Sequence, residues 1–131
     1  PYTTLFRSSF MNVVLVFLGG GIGAVLRWLI QLLLGKSDGN GFAWATFTVN
    51  CFGSLLIGLL AALALKFKWS EASVLLLMTG ILGGFTTYSA FALDSLQMIK
   101  QQQWALAIQY MLSTNIMALL CCALGFYLVK L

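Results

Sequence analysis

The sequence predicts an all-α integral membrane protein with four transmembrane helices. Of its 131 residues, 61% are hydrophobic and 8% are charged, against about 45–50% and about 25% in soluble domains. A soluble fold of this length has too much surface for its volume to hide so many apolar side chains. The alternation of apolar and polar residues that is typical of transmembrane β-strands is absent.

The four membrane spans are expected at residues 12–34, 43–65, 72–99 and 104–129. Each reaches the roughly 20 residues that a helix needs to cross about 30 Å of hydrocarbon. The loops between them are too short for a folded extramembrane domain, so residues 11–131 form one membrane domain. Residues 1–10 lack an initiator methionine, and we expect them to be a non-native or disordered leader that precedes Met11.

Composition also excludes several classes of function. The chain has no histidine, and its acidic residues are Asp38, Glu71 and Asp94, so the groups for most hydrolytic or metal chemistry are missing and an enzyme is not expected. The net charge of +4 comes from seven dispersed cations, which form no basic patch for nucleic acid.

Charge counting gives almost no preferred orientation in the membrane. With four spans, and with the doubtful Arg7 set aside, three cations lie on each side: Lys66, Lys68 and Lys130 on one, Arg27, Lys36 and Lys100 on the other. Since an excess of Lys and Arg normally fixes orientation, the balance is compatible with insertion in both orientations. The alternative is that one weak bias suffices.

The first span contains the segment GGGIGAVLRW. Its glycines predict close helix packing, and its arginine is the one cation of the span. Gly19 and Gly23, like Gly20 and Ala24, have the small-xxx-small spacing that lets helix backbones approach. Arg27 follows near the end of the span. It either extends to the membrane interface or places a cation at the mouth of an anion path.

The third span predicts a helix that is interrupted near mid-membrane. Glycines and hydroxyl residues cluster there: Gly80, Gly83, Gly84, Thr86, Thr87 and Ser89. Broken helices are tolerated at that depth where they are buried in protein or line a water-filled cavity. Tight packing through glycine is the alternative interpretation.

Other polar and aromatic residues of the spans have two interpretations each. Asn50 in the second span either bonds between helices or donates into a pore. Tyr88 and Phe91 share a helix face, either as packing or with ring edges toward an anion. Tyr110 and Thr114 share a face of the fourth span, either to hydrogen-bond across helices or to line a pore, and Asn115 is expected to point elsewhere.

Three motifs together resemble the Fluc (CrcB) family of fluoride channels: GGGIGAVLRW, ATFTVNCFGS and GILGGFTTYSAF, in that order across essentially all of residues 11–131. The resemblance implies a passive channel that exports cytoplasmic fluoride across the bacterial inner membrane. It also implies an antiparallel, dual-topology homodimer in membrane lipid, with a structural sodium ion at the dimer centre.

The resemblance assigns roles residue by residue. It places the fluoride pore at Asn50, Tyr88, Phe91, Thr87, Ser89, Tyr110 and Thr114. Tyr88 stands where the family usually has phenylalanine, so a hydroxyl could donate to the ion. Backbone carbonyls of Gly83 and Thr86 match the family's sodium ligands, and Asp94 stands where the family often has glutamate. Asp94 and Arg27 are the expected vestibule charges.

Two other functions are compatible with a small four-span protein. A proton-coupled exporter requires a membrane carboxylate in the first span, and that span has none. A non-conducting assembly subunit would not require the Gly-Thr interruption.

Overall fold

Long helices joined by short loops make up the computed structural model, which describes residues 2–130 and contains no β-strand in that range. The elements are α1 (Tyr2–Leu34), α2 (Trp44–Phe67), α3 (Glu71–Val74), a π-helical segment (Leu75–Leu82), α4 (Gly83–Phe85), α5 (Tyr88–Lys100) and α6 (Trp104–Leu128). Pro1 of the expected leader and Leu131, the last residue of the expected membrane domain, lie outside the described residues.

The prediction of four spans is confirmed. Within the described range, four helical stretches are long and apolar enough to cross a membrane: Arg7–Leu34, Trp44–Phe67, Glu71–Lys100 and Trp104–Leu128. Their ends lie within a few residues of the expected ones, except at the start of the first. There α1 is 33 residues long, or about 50 Å at a rise of 1.5 Å per residue. Residues 2–10, expected to be a leader, are helical here, and their non-native origin stays a prediction.

The third span is built from successive helical pieces. Ser70 caps its start, where the Ser70 side chain accepts a hydrogen bond from the Ser73 N–H. The π-helical segment carries the chain to Leu82, and α4 then ends at Phe85. Thr86 has φ −79° and ψ 153° and Thr87 has φ −151° and ψ 120°. These two extended residues confirm the predicted interruption.

Glycine contacts bring the helices together. A Cβ atom at Gly19 would lie 2.6 Å from the Leu76 carbonyl oxygen, and one at Gly23 would overlap the Ile81 carbonyl oxygen. The first small-xxx-small pair therefore lets α1 lie directly against the third span. A Cβ atom at Gly20 would meet nothing within 4 Å. At that level the close approach of α1 to the third span depends instead on Gly84, whose Cβ would overlap the Gly20 carbonyl oxygen.

The loop between α1 and α2 packs onto α5. Gly39 has φ 88°, and a Cβ there would lie 2.6 Å from the Gln97 carbonyl oxygen, so the turn requires glycine for both its conformation and its contact. Beside it, the Asn40 backbone N–H donates to Asp38 Oδ1 at 2.9 Å. This bond holds the pKa of the Asp38 carboxyl below its usual value.

We expect Gly23→Val to destabilise the bundle by about 3 kcal/mol or more, because overpacking a tight contact typically costs about 1–3 kcal/mol and here the obstacle is backbone. Gly21→Val is the matched control, because a Cβ at Gly21 meets nothing within 4 Å. Thermal unfolding in detergent measures both. Equal midpoints for the two variants would contradict the α1 contact.

Candidate functional site

The interruption of the third span has partners for its backbone groups. The Leu82 carbonyl oxygen accepts from the Thr86 N–H at 3.0 Å and from Thr86 Oγ1 at 2.9 Å. Beyond the interruption, Thr87 Oγ1 accepts from the Ala90 N–H at 3.2 Å and caps α5. One threonine therefore ends the first half-helix, and the next begins the second.

Asn50 of α2 joins the two halves. Its Oδ1 accepts from the Thr87 N–H at 2.8 Å, and its Nδ2 donates to the Thr87 carbonyl oxygen at 3.0 Å. The structure therefore shows the first of the two interpretations of Asn50, a side chain that hydrogen-bonds between helices. The amide has two N–H groups, and the second one makes no hydrogen bond to the described residues. Asn50 also lines a cavity, so that N–H is available to a ligand there.

A cavity of about 230 Å³ lies beside the interruption and has only uncharged walls. We call it the central cavity. Its lining residues are Asn50, Ser54, Thr86, Thr87, Tyr88, Phe91, Thr114, Asn115 and Ala118. The side-chain hydroxyl and amide groups of this lining can donate hydrogen bonds to a small anion.

The aromatic pair of α5 lies on the central cavity. The Tyr88 and Phe91 ring centroids are 5.4 Å apart with an interplanar angle of 43°, so the predicted shared face is confirmed. Phe91 is buried, whereas Tyr88 is 77% exposed. A large aromatic residue left this open on a membrane span provides a surface for lipid or a second protein chain.

One buried hydroxyl of the central cavity has no hydrogen-bond partner among the described residues. Thr114 Oγ1 is buried and makes no hydrogen bond within the described part of the chain. A buried unpaired hydroxyl is costly, so this atom marks the place where a ligand or water would bond. Ser89 lies outside the cavity lining, on the exposed surface, and its Oγ lies 3.2 Å from Thr87 Oγ1.

A chain of contacts leads from Phe91 to a membrane carboxylate. The Phe91 and Tyr110 ring centroids are 5.4 Å apart, and Tyr110 is fully buried. Its hydroxyl donates to Asp94 Oδ2 at 3.2 Å. Thr46 Oγ1 donates to the same oxygen at 2.6 Å. The carboxylate is thereby oriented by two donors from neighbouring helices.

A second cavity, of about 210 Å³, lies beyond Asp94 and beneath the loop between α1 and α2. We call it the outer cavity. Its lining residues are Gln31, Gly35, Lys36, Ser37, Ala43, Ala45, Thr46, Ala90, Leu93, Asp94 and Gln97. It contains one cation and one carboxylate, as a vestibule would. Arg27 lines neither cavity, and it makes no ion pair or hydrogen bond with the described residues.

The predicted cation site at Gly83 and Thr86 would use backbone carbonyls, and the Gly83 carbonyl lacks its usual helical donor. In an unbroken helix the Thr87 N–H would donate to the Gly83 carbonyl, but here it bonds Asn50. The Gly83 residue is exposed, so that carbonyl is accessible. Among residues 2–130, no group of three His, Cys, Asp or Glu residues could hold a metal ion. Carbonyl oxygens are hard ligands of the kind that alkali cations take.

Several residues of the two cavities were missed or misplaced by the sequence reasoning, and three of them show why. Thr46 lies four residues before Asn50, so helix spacing alone could have placed it on the same face. Asn115 was expected to point away from the Tyr110–Thr114 face. It is exposed whereas those two residues are buried, but it also borders the central cavity, which the expectation missed. Lys36 lies in a loop, where spacing gives no orientation.

Comparison with protein families identifies the chain. Residues 14–126 match the family described as CrcB-like protein, Camphor Resistance (CrcB). This match covers most of the chain and extends into all four spans. The chain belongs to the CrcB family. It is therefore a multi-pass integral membrane protein, as its four apolar helices indicate.

Named relatives extend over nearly the full chain. A protein of Rhodopseudomonas palustris (strain BisB5), named fluoride-specific ion channel FluC, is 41% identical over 121 residues. Proteins with the same name from Gloeothece citriformis (strain PCC 7424) and Helicobacter acinonychis (strain Sheeba) are 38% identical over 120 residues and 37% identical over 124 residues. In each case the match covers 92% of this chain and 98% of the relative.

We expect Asn50→Ala to loosen the interruption, because it leaves the N–H and carbonyl of Thr87 unpaired. An unpaired buried polar group costs about 1–3 kcal/mol, so the free energy of unfolding should fall by about 2 kcal/mol or more. Amide hydrogen exchange over residues 85–90 should quicken. Asn115→Ala is the matched control, because its amide donates within α6 to the Met111 carbonyl oxygen. Unchanged exchange over residues 85–90 in Asn50→Ala would contradict the role given to Asn50.

Proposed function

We propose that this chain forms a passive, fluoride-selective ion channel that lets cytoplasmic fluoride leave a bacterial cell across the inner membrane. The observation that supports it most is the central cavity, which has uncharged walls and the unpartnered hydroxyl of Thr114. Its walls also include the Asn50 amide and the Tyr88–Phe91 pair. The relatives' name, fluoride-specific ion channel, agrees with this chemistry.

The proposed pathway runs from the central cavity past Phe91 and Tyr110 to the outer cavity. Hydroxyl and amide donors replace part of the water around the ion, and the positive edges of aromatic rings add a weak attraction. A narrow path of this kind disfavours larger halides. Lys36 in the outer cavity attracts anions to one mouth of the path.

The driving force is the membrane potential. Hydrogen fluoride enters a cell as a neutral acid and dissociates inside, which traps the anion. An inside-negative potential favours its exit by about 2.3 kcal/mol per 100 mV. Such a pore requires neither an energy-coupling motif nor a catalytic group. The alternatives lack support, since the first span has no carboxylate for proton coupling and an assembly subunit would not require the interruption.

Liposomes that contain the purified protein should release fluoride rapidly once a valinomycin-mediated potassium current balances the charge. A fluoride electrode measures the release, and a chloride electrode provides the comparison. We expect fluoride efflux without any proton gradient and retention of chloride. Comparable chloride efflux, or fluoride efflux that stops when the proton gradient is abolished, would overturn the proposal.

Two variants at the aromatic pair locate the path in the same assay. Phe91→Ile keeps apolar bulk but removes the ring edge, and a loss of about 1 kcal/mol lowers flux several-fold to about tenfold. Tyr88→Phe is the matched control and should conduct, because it retains the aromatic ring. Normal flux in Phe91→Ile would place the path elsewhere.

A second part of the proposal is an antiparallel, dual-topology homodimer. Two features support it: the balanced cations of the two sides, and the exposure of both Gly83 and Tyr88 on a membrane span. A two-fold axis in the membrane plane would bring two interruptions together at mid-membrane. Carbonyls of Gly83 and Thr86 from both chains would then hold one structural sodium ion, which offsets the partial negative charge of the oxygens.

Side-specific labelling tests the orientation. Lys68→Cys, in a background without Cys51, Cys121 and Cys122, places one thiol in the loop between α2 and α3. If the chain inserts in both orientations, an impermeant maleimide should label comparable fractions from the two sides of the membrane. Labelling from one side only would rule out dual topology. The efflux assay on the same variant shows whether its assembly is intact.

A further inference from the structure

An apolar groove lies between the C-terminal ends of α2 and α6, on the opposite side of the membrane from the outer cavity. The two helices run in the same direction and cross closely, because a Cβ at Gly58 would overlap the Cys122 carbonyl oxygen and one at Gly125 would overlap that of Leu55. Beyond this crossing is a groove of about 600 Å³. Its lining residues are Ala62, Leu65, Lys66, Phe126, Val129 and Lys130.

Two positive charges lie at the rim of this groove. Lys66 Nζ is 5.7 Å from the Phe67 ring centroid, and Lys130 Nζ is 5.2 Å from that of Tyr127. These contacts hold the ammonium groups near the helix ends. Neither lysine forms an ion pair with residues 2–130, and the groove lining contains no acidic residue.

The position of the groove matches the two parts of a phospholipid. α2 ends at Phe67 and α6 at Leu128, so the lysines lie where both spans reach the membrane interface, and the apolar walls lie in the hydrocarbon. Leu65 is 72% exposed, which leaves one wall open to an acyl chain. Two lysines over an apolar groove are complementary to a negative headgroup with a hydrocarbon tail.

We propose that this groove binds one anionic phospholipid, with its phosphate between Lys66 and Lys130 and an acyl chain against Leu65, Phe126 and Val129. A zwitterionic phosphatidylcholine brings a cationic choline toward the lysines, so it gains less binding free energy than an anionic phospholipid. A free phosphate would leave the apolar walls exposed and would meet only solvent-screened charges, which bind weakly. The site is separate from both cavities.

Native mass spectrometry of the purified protein tests the proposal. Phosphatidylglycerol and phosphatidylcholine with identical acyl chains are added at equal concentration, and the lipids retained per chain are counted. We expect one retained phosphatidylglycerol in preference to phosphatidylcholine. Lys66→Gln with Lys130→Gln should reduce that preference about 25-fold, which is about fivefold for each lysine. Lys68→Gln with Lys100→Gln removes the same charge outside the groove and should keep the preference.

Three results would overturn the proposal. The first is equal loss of phosphatidylglycerol in both double variants, because the attraction would then come from overall charge. The second is no preference between the two lipids in the wild-type protein. The third is displacement of the lipid by millimolar inorganic phosphate or glycerol 1-phosphate, because the site would then recognise a free anion. Thermal unfolding gives an independent readout, since a bound lipid should raise the midpoint in the control variant but not in Lys66→Gln with Lys130→Gln.

Discussion

The pair of hydrogen bonds between the Asn50 side chain and the Thr87 backbone is the interaction on which the candidate site depends. Within a membrane, an unpaired backbone N–H or carbonyl costs several kcal/mol. A helix that ends at Phe85 and begins again at Tyr88 creates such groups inside the membrane, where water is not available to pair with them. Asn50 satisfies both groups of Thr87, and the two threonine side chains satisfy others on either side. The backbone of the interruption is thus held by hydrogen bonds from side chains.

Several other features follow from that arrangement. α2 must lie close to the interruption for Asn50 to reach it, and this requires Gly53, where a Cβ would overlap the Thr86 methyl group. Because Asn50 takes the Thr87 N–H, the Gly83 carbonyl loses its usual helical donor. Because α5 begins inside the membrane, its first turn places Phe91 between the central cavity and Tyr110. The proposed cation site and anion path therefore depend on the same side chain.

Sequence reasoning predicted the spans and the interruption, because both depend on local signals. Long apolar runs specify spanning helices, and adjacent glycine and hydroxyl residues favour a break. The π-helical geometry of Leu75–Leu82 has no such signal, since its leucines, methionine and single glycine do not distinguish a π-helix from an α-helix. The pairing of Thr46 with Asp94 and the position of Asn115 at the border of the central cavity depend on helix rotation. That rotation is set by backbone contacts between distant glycines, which spacing along one helix does not reveal.

Some hydrogen-bond donors of the site are bonded to other protein groups, and others are available to an ion. Tyr110 has one hydroxyl hydrogen, and it points to Asp94, so it is not available to an anion in the same state. The Thr114 hydroxyl and the second N–H of Asn50 have no such competitor, and they are among the donors left for the central cavity. Asp94 repels an anion, and its two bonded hydroxyls screen that charge. In the proposed path, fluoride would gain most from the donors that are not bonded to Asp94, because the smallest halide accepts hydrogen bonds more strongly than the larger ones.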